Sequence, residues 1–427
     1  MVNFRMNDVD NQLTGNPQIT YFKNVYRRHT YFVKQLIKND QNFSIDLAGS
    51  PLPNSYQFEH GSMDLISDIY IENQFKDVSG SDVIIAPNIG NSIIEEIKFG
   101  PVGNDSLYKT TGLQMEILAE LTNPFSPSIM NSNICPPFME SDGLNSSLTV
   151  KNGNNYNTTC FAGGVSGSTV KSISGFNSDI FFTRPDFDFC QTYDKAFPIC
   201  ALNNVKTHMS ITYHDRTDYL KGTEITGELS STIVCEIISL SPDERRRVIN
   251  REEPYIFFRL STVYVIPKNM QFIISGIAPI RTIYITGPVP SLGSISASLS
   301  LSTPTKIDTN ITFTINNNNG KSFDHSMKTY TRSNIYTYYG NNGFGGRELN
   351  GFGDTLGNNL GKYDSIGIHT QSLEPGFLPN GHMSSNGKST MRITGGPANG
   401  PGIREFHEVI SSYQISGGQL TLLYGDV

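Results

Sequence analysis

Alternation of apolar and polar residues is clearest from Val205 to Tyr213. There Val205, Thr207, Met209, Ile211 and Tyr213 interleave with Lys206, His208, Ser210 and Thr212. A period of two turns one set toward a core and the other toward water, which predicts a half-buried antiparallel strand. Shorter stretches of the same kind predict strands at 43–47, 55–58, 65–71, 93–99 and 179–182, with Leu65, Ile69 and Ile71 sharing one face. Further strands are predicted at 233–240, 257–266, 271–275, 280–286, 311–315, 366–372, 389–394 and 412–424. Ile295, Ala297, Leu299 and Leu301 also alternate, with serines between them.

Two stretches depart from this rhythm. In Thr111 to Leu121 the residues Leu113, Ile117, Leu118 and Leu121 form a helical stripe, which Asn123-Pro124 ends. In Ser241 to Val248, Ser241 is suited to cap a short helix and Pro242 to fill its first turn. Asp243 and Glu244 would lie at its positive end. Residues 123–178 are rich in Asn, Ser and Gly and read as a long surface excursion. Residues 339–361 read as a Gly/Asn-rich loop, and His214 to Asp218 as the start of a charged connector.

At 427 residues a single continuous core is disfavoured, and two units of about 200 residues are the natural division. The 39 Gly and 22 Pro, with only 17% charged residues, favour many turns between short strands. With one helix per half, the pattern predicts two tandem β-sandwiches. No run of 18 apolar residues is present, and the polar start MVNFRMNDVD does not read as a signal peptide. A net charge of −7 argues against direct coating of nucleic acid.

The chemistry-bearing residues do not assemble into a catalytic or cofactor motif. Cys135, Cys160, Cys190, Cys200 and Cys235 lack ligand spacing and are expected as reduced thiols. Gly351, Gly353 and Gly357 approach a nucleotide-binding glycine pattern, but the spacing is wrong and a flexible loop is the expectation. His208 and His214 near Asp215 and Asp218 could suggest a catalytic pair, yet His208 falls on the polar face of its strand and is expected to be solvated. Arg245, Arg246 and Arg247 follow Asp243 and Glu244. They read as a solvated helix end paired between molecules in preference to an anion site. No metal, no cofactor and no enzymatic activity are expected.

One stretch is a cluster of cations and rings. Leu13 to Phe32 reads LTGNPQITYFKNVYRRHTYF, a turn followed by Lys23, Arg27, Arg28 and His29 among aromatic residues. Gly15 to Thr30 resembles the amino-terminal signature of the major capsid proteins of nucleocytoplasmic large DNA viruses, of the phycodnavirus, iridovirus and mimivirus type. The resemblance continues in order along the chain. Glu120-Leu121-Thr122 resembles the end of that family's W-x-x-x-x-N-E-L-T helix, here without the tryptophan. Phe187-Asp-Phe-Cys190 resembles F-W-F-C, with Asp188 in the tryptophan's place, and Ser241 to Arg247 resembles D-x-D-E-R-R-R. The stretch from about 280 to 365 matches poorly.

The resemblance implies an all-β double jelly roll: two tandem eight-stranded antiparallel jelly rolls with short helices in loops. The division expected is an arm (1–32), a first jelly roll (33–216), a connector (217–231) and a second jelly roll (232–427). It further implies a structural subunit that forms homotrimeric, pseudo-hexagonal capsomers tiling an icosahedral shell assembled in the host cytoplasm. Expected partners are the chain itself, neighbouring capsomers, minor capsid proteins and the internal membrane surface. Lys23, Arg27, Arg28 and His29 are expected to face inward or to pair within the trimer, and Arg245, Arg246 and Arg247 to contact other subunits. The alternatives are a paralogous minor or penton-associated capsid protein and, from another class, a carbohydrate-binding β-sandwich. The absence of Trp counts against the latter.

Overall fold

The computed structural model describes residues 29–49, 54–58, 63–85, 89–122, 169–178, 180–202, 205–261, 263–266, 271–273, 279–286, 312–316, 322–326, 366–373, 381–382, 390–394 and 403–424. The expected arm cations Lys23, Arg27 and Arg28, the alternating serines at 295–301 and the loop at 339–361 lie outside these residues.

The first half contains β1 (Phe32–Asp46), β2 (Asn54–Phe58), β3 (Leu65–Ile85), β4 (Ile94–Pro101), β5 (Tyr108–Thr110), β6 (Thr169–Phe176), β7 (Phe181–Thr183), β8 (Thr207–Tyr213) and β9 (Leu220–Leu240). The second contains β10 (Tyr255–Leu260), β11 (Tyr264–Ile266), β12 (Gln271–Ile273), β13 (Ile280–Thr286), β14 (Thr312–Asn316), β15 (Ser322–Ser326), β16 (Ile366–Thr370), β17 (Thr390–Thr394), β18 (Ile403–Ser416) and β19 (Gln419–Tyr424). Short helices intervene: α1 (Ile89–Ser92), α2 (Gly112–Thr122), α3 (Arg216–Tyr219) and α4 (Pro242–Ile249).

The sheets run β1-β9-β3-β6 and β2-β8-β4-β5 in the first half, and β10-β18-β13-β16 and β12-β17-β14-β15 in the second. Counting only strands on these paths, both halves have the same order: first-eighth-third-sixth facing second-seventh-fourth-fifth. Every pairing is antiparallel. That order is the jelly roll, twice. β7, β11 and β19 are additions at its margins.

Strand β8 alternates buried and half-buried from Thr207 to Tyr213, as its sequence predicts. Strand β3 corrects its sequence reading. Ile66 is fully buried while Leu65 is only half-buried, because the register slips between Ile66 and Asp68 and exchanges the faces. The long strands also begin earlier or run further than their apolar words. Residues 217–231, expected as a connector, lie in α3 and the first half of β9, whose length pairs with both β1 and β3. Thr169–Phe176, expected as part of the surface excursion, is strand β6.

Both predicted helices form. Ser241 Oγ accepts the Glu244 N–H at 3.4 Å and Pro242 opens α4. Helix α2 starts with a reciprocal cap: Gln114 N–H donates to Thr111 Oγ1 (3.3 Å), and Thr111 N–H donates to Gln114 Oε1 (3.0 Å). Gly112 is required there, since a Cβ would lie 2.3 Å from the Asn91 carbonyl oxygen. At the other end of the chain, Gly417 (φ 60°) and Gly418 (φ 82°) form the two-residue β18–β19 turn, where both positions need positive φ.

The predicted stripe of α2 is buried, and its partners come from the other half. Leu113, Ile117, Leu118 and Leu121 pack with Leu260, Tyr284, Ile366, Ile368 and Phe406. The main core likewise crosses the boundary, joining Phe257, Tyr413, Ile415 and Leu420 to the interior of the first sandwich. At about 1.5–3 kcal/mol per buried large apolar side chain, these shared residues couple the two sandwiches strongly.

Candidate assembly surfaces

A seam of rings lies where the sandwiches meet. Tyr108 contacts Phe257 (centroids 4.9 Å apart), Phe197 contacts Tyr413 (6.3 Å), and Tyr255 stacks on Tyr413 (5.0 Å). Phe187 and Phe189, from the resembling Phe-Asp-Phe-Cys word, add to this cluster through Phe99 and Tyr108.

Asp188 stands between those phenylalanines, buried in a short 3-10 turn. Its Oδ1 accepts from Lys195 Nζ at 2.7 Å, and its Oδ2 accepts the Phe258 N–H of β10 at 3.1 Å. Burial raises the Asp188 pKa, against the opposing pull of Lys195 and the Phe258 N–H. Lys195 Nζ lies 4.3 Å from the centre of the Phe258 ring, and Arg281 Cζ lies 3.7 Å from it. Arg281 is in turn held by a two-pronged bond to Glu408, 2.6 and 2.7 Å, with both side chains buried. Asp188 and Lys195 thus bind the first sandwich to Phe258 of the second, where the Arg281–Glu408 pair backs the same ring. Sequence reasoning noted Asp188 only as a missing tryptophan, and no local pattern links it to residues 70 to 220 positions away.

A second polar knot, on β3, involves Asp68, Tyr70, Arg184 and Asp186. Arg184 Nε donates to Asp68 Oδ1 at 3.0 Å, its Nη2 donates to the Cys190 carbonyl at 2.5 Å, and Tyr70 OH donates to Asp68 Oδ2 at 2.6 Å. Burial pushes the Asp186 carboxyl up to about 7; Arg184 opposes this and Asp68 adds to it.

The sequence-predicted residues separate. His29 is exposed, its Nδ1 2.8 Å from the Thr30 carbonyl oxygen and its ring 6.1 Å from that of Phe32. Arg245 Nε lies 3.2 Å from Asp64 Oδ1, an ion pair within the chain that ties α4 to the first sandwich. Asp64 Oδ2 also accepts the Leu240 N–H at 2.8 Å. Arg246 and Arg247 pair with Asp243 and Glu244 on the same helix and remain 76% and 75% exposed. His208 Nε2 is 3.2 Å from Asp105 Oδ1. Burial lowers the pKa of His214, with Asp218, Glu95 and Asp215 opposing, so the two histidines have different partners. Cys190, Cys200 and Cys235 are free thiols, and burial raises the pKa of each. Among the described residues no three His, Cys, Asp or Glu are grouped to hold a metal ion, and no helix is long and apolar enough to cross a membrane.

The least expected surface is the start of β1. Residues 29–36 are exposed throughout, including Tyr31, Phe32, Val33 and Leu36. Lys34 donates to Tyr193 OH (2.6 Å) and pairs with Glu236 (2.7 Å); its pKa is raised, chiefly by the Glu236 bond. Lys38 pairs with Glu72.

No protein-family model matches the chain. It is 26% identical over 259 residues to the major capsid protein of Pyramimonas orientalis virus, covering 59% of this chain and 55% of that one. It is 36% identical over 127 residues to probable capsid protein 4 of Acanthamoeba polyphaga mimivirus, covering 27% and 23%. The chain thus spans about half, or less, of the length of these curated relatives. Among solved structures it is similar to the VP54 protein of Paramecium bursaria Chlorella virus 1 as fitted into the Sputnik virophage reconstruction. That match has a TM-score of 0.66 at 14% identity and covers 95% of this chain and all of the other. The sequence is similar to major capsid proteins of large DNA viruses, and the fold is their double jelly roll.

Proposed function

We propose that the chain is a major capsid protein of a large DNA virus, a structural subunit without catalysis of its own. The observation that carries this reading is the shared interior of the two sandwiches. A building block for a shell has to hold two similar lobes at a fixed angle, and here a common aromatic core and the Asp188–Lys195 latch onto Phe258 do so. Three copies around a threefold axis would present six lobes, a pseudo-hexagonal capsomer able to tile an icosahedral facet. Cyclic closure sets one patch of each copy against a different patch of the next.

In this reading the arm that precedes β1 lies outside the lobes. Its basic residues Lys23, Arg27 and Arg28, with His29, face the interior of the shell, toward minor capsid proteins or the internal membrane surface. Arg246 and Arg247 are free enough to reach a neighbouring subunit, whereas Arg245 is committed to Asp64. Assembly takes place in the host cytoplasm, and the assembled protein resides in the virion.

Light scattering on the purified protein, followed by negative-stain imaging, tests the proposal. The expected result is a particle three times the 47.2 kDa chain with a six-lobed outline. A monomer at all concentrations would overturn the self-sufficient trimer and favour a minor capsid role.

A further inference from the structure

Strand β1 has an unusual first half. Its register with β9 is continuous from Phe32↔Leu240 to Lys38↔Val234, so it is a formed strand. Yet residues 32–36 are exposed on both faces, and among the described residues the strand has a neighbour on one side only. A strand wetted on three sides should be polar and charged, since an open apolar edge invites pairing. This one carries Lys34 and Gln35, yet large apolar residues flank them. Tyr31 is 74% exposed, Phe32 49%, Val33 36% and Leu36 66%. Side chains alternate along a strand, so Phe32 and Leu36 are exposed on one face and Val33 on the other, with Tyr31 just before the strand. Its two lysines are already neutralised inside the chain by Glu236 and Glu72. Each lysine thus has a carboxylate partner within the chain. The strand offers side-chain burial and a row of main-chain donors and acceptors.

We propose that the first half of β1, Phe32 to Leu36, docks on a second copy of this chain. The partner surface is the equivalent strand of the other sandwich. β10 and β11 are successive pieces of the edge along β18, and they expose Ile256 (53%) and Val265 (61%). Each copy has one edge of each kind. A head-to-tail contact therefore uses both and repeats around a closed ring, whereas β1-to-β1 pairing would stop at a dimer. A standard interface takes roughly 800 Å² from each partner, so the strand contributes part of it and the exposed Tyr193, bonded to Lys34, lies beside it. The proposal rests on the trimer reading above and adds which surfaces meet.

The test uses the full chain. Leu36→Lys and Phe32→Ser alter exposed side chains, and Ile249→Lys on α4 is the control at another exposed apolar site. Circular dichroism checks that each variant is folded, and sedimentation gives its assembly state. The expected result is a dissociation constant raised at least 100-fold by either β1 variant and within threefold of wild type for Ile249→Lys. Mixing Leu36→Cys with Ile256→Cys under mild oxidation should give a cross-linked pair above the wild-type background, and Leu36→Cys alone should not. A trimer that survives both β1 substitutions overturns this inference and leaves the trimer intact. A cross-link by Leu36→Cys alone overturns the head-to-tail arrangement. A wild-type monomer overturns the trimer reading, and this inference with it.

Discussion

Asp188→Asn separates charge from shape at the seam between the sandwiches. Asparagine keeps an oxygen for the Phe258 N–H at the same distance but removes the counter-charge 2.7 Å from Lys195 Nζ. Removing one partner of a buried ion pair costs about 3–5 kcal/mol when the other is left stranded. Lys195 is not fully stranded: its side chain is 11% exposed and its ammonium stays over the Phe258 ring. The loss of an already disfavoured buried carboxylate offsets part of the cost. A destabilisation of about 2–3 kcal/mol follows. Lys195→Met should cost a similar amount by leaving Asp188 buried without its cation. The double variant has neither charge and should lie within about 1 kcal/mol of wild type, because replacing both partners is nearly neutral. Urea unfolding followed by circular dichroism measures all four proteins, with an unchanged slope as the check that the same unit unfolds. Wild type should show one transition, since the core is common to both sandwiches. Costs that add to within about 0.5 kcal/mol would refute a coupled latch, as would two separate transitions in the wild type.

Three further outcomes are expected. Asp186 ionises near 3.9 when unfolded but has its folded pKa pushed up to about 7. Between these values the folded state holds a proton that the unfolded state has lost, so its contribution falls as pH rises from about 4 to 7. Asp186→Asn should flatten the thermal-stability profile over that window; an unchanged profile would show that the folded state does not hold this proton. Ile117→Ala should cost about 2–5 kcal/mol by opening a cavity where α2 meets the second sandwich, measured by denaturant midpoint. Ser241→Ala should cost about 1 kcal/mol through loss of the α4 cap, and Ser241→Asp should retain most of that stability.

Some residues announced their structure and others concealed it. Strand β8 was legible because its alternation is uninterrupted and one face is wet. Helix α4 was legible because its cap, proline and acids are local. The first part of β18 was missed because Arg404, Glu405, His407 and Glu408 interrupt the apolar pattern. Glu405 and Glu408 are buried all the same, Glu408 held by Arg281 and Glu405 3.3 Å from His407 Nε2. The first half of β1 was missed for the opposite reason: its apolar residues fit no alternation, because among the described residues neither face is covered.

The sequence by itself determined the class of the protein: mostly strands in two units, two short helices, one of them with a legible cap, and words that resemble capsid proteins in the same order. These are properties of local spacing, and local physical chemistry reads them. Which strands pair, how the first-eighth-third-sixth order arises twice, and where the buried charges meet are settled by contacts between distant residues. The α2 stripe is the sharpest case. Its four apolar positions are visible in the sequence, but nothing near them says that they are buried against the second sandwich. Burial depends only on what lies across the interface, and the tertiary fold alone brings those surfaces together.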